Sequence, residues 1–254
     1  MQADRCDDRQ VIRITGADRL EFLQGLVTND VGRLRQGLVY AAILTPQGKY
    51  LADFFLLEDG ASVLLDVQAG LATGLIQRLT MYKLRASVDL EPVDMPVWRG
   101  LGEAPPGGRA DPRHPRLGWR FYGEVDAAPA GIDWDALRVA ACIPESGIEL
   151  VPNDTYILEA GFERLNGVDF HKGCYVGQEV TARMKHKTEL RKGFATVRVE
   201  GAAEPGATIS ADGKPAGTLY TQSGGRGIAY LRFDRAQGRM AAGDATVRLA
   251  DAAG

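Results

Sequence analysis

The chain has 254 residues, 45% of them hydrophobic and 25% charged, with a formal net charge of −3. That is enough apolar material for one large domain or two to three small ones. No apolar run approaches the roughly 18–20 residues that span a bilayer, and an acidic balance argues against non-specific nucleic-acid binding, which needs clustered positive charge. Residues 1–8 are polar and acidic, the reverse of a signal peptide's order, so a cytoplasmic location away from membranes is expected. The cysteines, Cys6, Cys142 and Cys174, show no CxxC spacing, which fits a reducing compartment and excludes a disulfide framework. His114, His171 and His186 lack zinc-site spacing, so no metal ligands are assigned.

In chain order, residues 11–14 read as a strand ended by Gly16. Asp18 then caps a helix carrying Leu20, Leu23, Leu26 and Val27 on one side. A β-meander follows over 39–44, 50–57 and 62–67, with turns at Pro46-Gln47-Gly48 and Asp59-Gly60. Leu71, Leu75, Leu79 and Tyr82 step at helical spacing, and 88–97 reads as a strand region. Residues 100–115 turn to Gly, Pro, Arg and Asp and predict a loop. A strand over 119–122 and a helix capped by Asp133 come next, halted before Pro144. Residues 150–190 are rich in loop formers. After 191 the pattern is wholly β, with short strands over 194–199, 207–210, 216–220, 228–233 and 246–249, the spacing of a small barrel or sandwich. Gly224-Gly225-Arg226-Gly227 lies between two of them, without Lys-Ser/Thr or a following helix, and reads as a hairpin turn. The fold class is α+β, with a body over 1–190 and an all-β module over 191–254.

The chemistry concentrates at Lys172-Gly173-Cys174-Tyr175-Val176-Gly177-Gln178-Glu179. A lone cysteine is more often a small buried hydrophobe, but these neighbours are glycine or polar. Gly173 and Gly177 free the backbone, and Lys172 and His171 place positive charge beside the sulfur, which favours thiolate. Cys174 and Lys172 are therefore the candidate catalytic residues. Arg183, Lys185, His186, Lys187, Arg191 and Lys192 form a local basic cluster suited to a small anion.

This segment, with Phe170-His171 before it and Val180-Thr181-Ala182-Arg183 after it, resembles the KGCYxGQE…R signature of the YgfZ family. That family comprises folate-binding iron–sulfur maintenance proteins related to the glycine-cleavage T-protein, an aminomethyltransferase. Residues 22–31 are similar to the family's FLQGLLTNDV segment, residues 44–49 to its LTPQGK/R hairpin and residues 82–85 to its YKLR helix end. Arg138 through Pro144 to Glu149 resembles its R-x-x-x-G-I-P…G-x-E element, with Ala141-Cys142 a departure where glycine is usual. The resemblance implies two interleaved α+β subdomains and a C-terminal β-barrel in a T-protein-like ring that holds tetrahydrofolate.

It also implies roles for particular residues. Glu149 stands where the relatives bind the pterin, Gln178 and Glu179 offer an amide and a carboxylate, and Arg183, Lys83 and Arg85 are candidates for the anionic glutamyl tail. Tyr175 either packs on a ring or fills core. Asn29 and Asp30 either line the pocket or cap the next turn. The implied function is support of iron–sulfur cluster assembly or repair, and through cluster enzymes of tRNA modification, with no direct nucleic-acid contact. Cys174 would be redox-active or in transient cluster contact, and the partners would be assembly factors or client enzymes. The competing readings are a folate-dependent aminomethyl- or methyltransferase and a folate-binding scaffold without chemistry. The transferase needs an aspartate just after the strand at 62–67, and no Asp or Glu occurs between Asp66 and Asp89.

Overall fold

The computed structural model describes residues 1–186 and 189–250. Lys187, one of the basic cluster above, lies outside the described residues. In chain order the elements begin with β1 (Asp4–Arg5), β2 (Arg9–Thr15), α1 (Arg19–Gln24), a 3-10 turn (Val31–Gln36), β3 (Val39–Leu44), β4 (Tyr50–Asp59), β5 (Ser62–Gln68) and α2 (Ala69–Lys83). Then come β6 (Asp89–Val93), β7 (Val97–Gly100), β8 (Arg109–Ala110), a 3-10 turn (Pro115–Leu117), β9 (Trp119–Tyr122), α3 (Trp134–Ala141) and α4 (Gln178–His186). The chain ends in β10 (Lys192–Glu200), β11 (Thr208–Ala211), β12 (Lys214–Ser223), β13 (Arg226–Arg232), β14 (Met240–Ala242) and β15 (Ala245–Leu249).

These strands form a five-stranded sheet ordered β3-β4-β5-β2-β6, a four-stranded sheet ordered β1-β7-β9-β8, and a closed barrel of β10 to β15. The first sheet is covered on both faces, which explains why β3 to β5 are nearly all apolar. Val39, Ala41 and Ile43 face the cluster capped by Leu75 and Leu79 of α2. Tyr40, Ala42 and Leu44 face a second cluster with Ile143, Leu150, Ile157, Phe162 and Leu165. The barrel has its own core around Val197, Ile209, Leu219, Leu231 and Val247.

An ionic seam joins the two sheets. Asp66 on β5 accepts from Arg9 on β2 at 2.6 Å and from Arg120 and Tyr122 on β9 at 3.0 and 2.9 Å. Asp111 takes the Arg113 guanidinium at 3.0 and 2.8 Å, and Arg120 stands 3.8 Å from the same carboxylate. All three guanidiniums lie over the Phe55 ring, 4.3–5.8 Å from its centroid. The loop expected over 100–115 therefore carries two buried charges, Asp111 and Arg113.

Other expectations shift locally. The strand region at 88–97 is two strands in different sheets, β6 and β7. Asp18 makes no cap bond and its carboxylate accepts from Ser87 N at 2.7 Å instead. The stretch over 150–190, rich in loop formers, contains the helix α4, and β14 completes the barrel where no strand was expected. Gly224 and Gly225 do turn the β12–β13 hairpin.

Candidate functional site

The signature loop leaves the body beside the end of α1. Asp169 N donates to Thr28 O at 3.0 Å, and the Asp169 carboxylate accepts from His171 N at 2.7 Å and from Arg33 at 2.5 Å. Lys172 then points inward: Nζ donates to Gln24 O at 2.5 Å and Val27 O at 2.7 Å. Burial lowers its pKa to about 8, against the raising influence of Asp30, Asp169 and Cys174. Tyr175 is buried in the second core cluster, and burial pushes its phenol up to about 12. Cys174, between these two inward-facing anchors, is exposed. After it the chain turns tightly: Gly177 has φ +85°, and a Cβ there would lie 2.6 Å from Thr45 O, so only glycine seats α4 against the hairpin turn at Gly48.

Lys172, expected to serve the thiol as a catalytic group, is thus committed to two main-chain carbonyls. Tyr175 takes the core-filling alternative. Asp30 takes the capping one, through Gly32 N; Asn29 instead donates through Nδ2 to Tyr40 O and Asn166 O at 2.8 and 2.7 Å and lines a pocket with Arg33 and Tyr40.

Of the residues expected to hold folate, Asn29, Asp30, Tyr175, Gln178, Glu179 and Arg183 lie on or beside the signature loop and α4, whereas Glu149, Lys83 and Arg85 lie elsewhere. Both Glu149 oxygens are occupied: Oε1 by the Thr221 hydroxyl at 2.5 Å, and Oε2 by Glu145 N at 2.9 Å and Arg138 Nη1 at 3.2 Å. Buried in that way, Glu149 ties the barrel to the body and has no free edge for a pterin. Gln178 opens α4, while Glu179 and Arg183 pair with each other at 2.8 Å on its exposed surface. Lys83 pairs with Asp89 at 3.1 Å and Arg85 is exposed beyond the end of α2. Asp66, the last acidic residue before the gap that speaks against a transferase, is buried among Arg9, Arg120 and Tyr122. Burial raises its pKa, but Arg9 and Arg120 outweigh that and hold the carboxyl below its usual range. Such a carboxylate is a seam ion rather than a proton acceptor.

Two groups went unassigned in the sequence. Gln24 donates through Nε2 to Lys172 O at 3.2 Å and to Asp30 Oδ1 at 3.1 Å; its place in the FLQG segment was the available signal. At the junction of barrel and body, Phe194 lies 6.0 Å from Tyr220 and 5.3 Å from Tyr230 by ring centroids, and Tyr230 donates to Glu159 at 2.7 Å. Nothing in their spacing distinguished these aromatics from ordinary barrel residues. Among the described residues, no three His, Cys, Asp or Glu side chains are grouped to hold a metal ion, and no helix is long and apolar enough to cross a membrane.

Two α+β sheets with a closed six-stranded barrel make this an aminomethyltransferase-type fold. The chain superposes on the glycine cleavage system aminomethyltransferase T from Bartonella henselae with a TM-score of 0.76, covering 98% of this chain and 84% of that one at 13% identity. Residues 191–253 match the family described as CAF17, C-terminal beta-barrel domain. The chain is 32% identical to the mitochondrial iron–sulfur cluster assembly factor IBA57 of Mus musculus and 31% identical to that of Homo sapiens, in each case over 93% of this chain and 79% of the relative. It belongs to the IBA57 family. These relatives are mitochondrial by name, which overturns the cytoplasmic location expected from the polar N-terminus.

Proposed function

We propose that this protein acts in iron–sulfur cluster assembly by presenting Cys174 to a partner as a redox-active or cluster-contacting thiol, with tetrahydrofolate as a bound ligand. The role in cluster assembly rests on membership of the IBA57 family, and the naming of those relatives indicates a mitochondrial setting. The YgfZ-like signature residues are the part of the chain that carries this role. The observation behind it is the exposure of Cys174 on a loop anchored inward on both sides. One thiolate supplies one of the protein ligands a cluster takes, usually about four, so the cluster is cargo shared with the partner's own ligands. Support of tRNA-modifying enzymes would follow only through their clusters. In cells lacking the protein, Cys174→Ala at matched abundance is expected to leave cluster-dependent enzyme activity unrestored. Full restoration would remove the thiol from the function.

Tetrahydrofolate asks for flat walls and a carboxylate acceptor facing the pterin's amino and ring N–H groups. What supports a placement near the barrel junction is the half-buried group of Phe194, Tyr220 and Tyr230, with the Phe194 ring tilted at 59° to each of the other two, which offers ring faces beside the Glu159 carboxylate, whereas Glu149 is already saturated. When bound, a reduced folate would supply one-carbon or electron chemistry; the chain's residues hold and shield the ring. Fluorescence titration with tetrahydrofolate is expected to show saturable binding that Tyr220→Ala weakens by about tenfold, the loss of one stacking wall. Binding indifferent to Tyr220, or none, would exclude this placement.

A further inference from the structure

The end of α1 and the signature loop are 148 residues apart in sequence and bond to each other in both directions. Lys172 Nζ donates to Gln24 O, and Gln24 Nε2 donates back to Lys172 O at 3.2 Å. The rest of the Gln24 amide is also used: Nε2 reaches Asp30 Oδ1 at 3.1 Å and Oε1 accepts from Val31 N at 2.9 Å. The ammonium takes a second carbonyl, Val27 O, at 2.7 Å. Gln24 O, at the end of α1, lacks an intrahelical partner and carries partial negative charge, so a cation is suited to it. The Lys172 charge is therefore spent inside the fold and is not presented to a partner beside the thiol.

What lies between the anchors is free of comparable restraint. A Cβ at Gly173 would meet nothing within 4 Å among the described residues, and its φ is +100°. Asp169 fixes the loop upstream through Thr28 O and Arg33, and Tyr175 fixes it downstream in the core. The exposed pair Gly173-Cys174 follows directly on the main chain at Lys172, which Gln24 holds.

We propose that Gln24 and Lys172 are positioning residues for Cys174, a two-way clasp that seats the signature loop on the end of α1 so that the thiol projects from the surface. The proposal rests on Cys174 being the working thiol. It makes the FLQG segment and the cysteine signature two halves of one device.

Amide hydrogen exchange and complementation test it together in the full chain. Gln24→Leu and Lys172→Met keep the side-chain bulk and remove the donors; Gln24→Asn, which shortens the amide, substitutes if Gln24→Leu misfolds. Each variant is expected to speed exchange at the bonded loop amides that flank the thiol, Asp169, His171 and Gln178, by about tenfold, the scale of one net hydrogen bond. The core strands β3 to β5 should stay as protected as in the parent. Because both belong to one clasp, the double variant should exchange little faster than either single one. In cells lacking the protein, either variant at matched abundance should restore cluster-enzyme activity several-fold less well while retaining Cys174. Unchanged loop exchange, or additive effects, would overturn the clasp whatever the thiol does. Faster exchange with full complementation would overturn positioning. If Cys174→Ser also complements fully, the fault lies instead with the reading of the thiol.

Discussion

Arg183 and Glu179 meet at 2.8 Å with 68% and 85% of their side chains exposed, while Asp66, 1% exposed, is held by Arg9 at 2.6 Å and Arg120 at 3.0 Å. The distances are similar and the energetics are not. In water a single helical i,i+4 pair contributes about 0.3–0.5 kcal/mol, because the solvent already satisfies both charges. Inside the seam the solvent is gone, so removing one partner leaves the others as uncompensated buried charge, at a cost of about 3–5 kcal/mol. Asp66→Asn should therefore lower the free energy of unfolding by that amount in urea denaturation, and Arg183→Ala by less than about 0.5 kcal/mol. A small effect at Asp66 would mean that water or a relaxed Arg9 takes over its role. Arg183, expected as an anion contact, already has Glu179 as a local partner on the exposed surface of α4.

At the scale of elements, what could be read from the sequence depended on periodicity. The β3 to β5 meander and α2 show their apolar spacing plainly, and the structure keeps both almost to the residue. The helix α4 has no such stripe: Thr181 is its one buried residue among those described. It exists because Gly177 allows the chain to pass against Thr45 O and because Val180 packs on Gly48, contacts that join positions over a hundred residues apart. The buried Asp111 and Arg113 were hidden for the same reason, since their local composition is that of a loop while Arg120 and Phe55 reach them only in the fold. The site divides similarly. The candidate thiol could be singled out from eight consecutive residues, and its exposure is what the fold adds. The inward commitment of Lys172, the saturation of Glu149 by Thr221 from the barrel, and the aromatic group around Phe194 are all tertiary facts.

On the scale of the whole molecule, the body and the barrel are held by different physics. The barrel closes its own hydrogen-bond circuit around an apolar core, whereas the two body sheets are joined across the Arg9–Asp66–Arg120–Asp111–Arg113 seam. Burial alone would raise the carboxyls of Asp66, Asp111 and Glu145, but the arginines around them outweigh it and hold all three below their ordinary values. A carboxyl whose folded pKa is depressed stabilises the fold above its unfolded pKa of about 4, and that contribution is lost as pH falls through the folded value. Body stability should thus decline only gently from about pH 8 to 5, where His114, its folded pKa lowered by burial, takes up a proton more readily in the unfolded chain, and steeply below about pH 4.5. The three tryptophans of the chain, Trp98, Trp119 and Trp134, all lie in the body, so their fluorescence reports that part alone. In urea series at successively lower pH, the tryptophan midpoint should move to lower denaturant while amide protection in β10, β12 and β13 persists. Asp66→Asn should flatten the acid decline, since one of the most deeply buried depressed carboxyls is gone. Coincident loss of tryptophan signal and barrel protection at every pH would show instead that the Glu149–Thr221 and Arg138 contacts couple barrel and body into one cooperative unit, with the seam no more acid-sensitive than the rest.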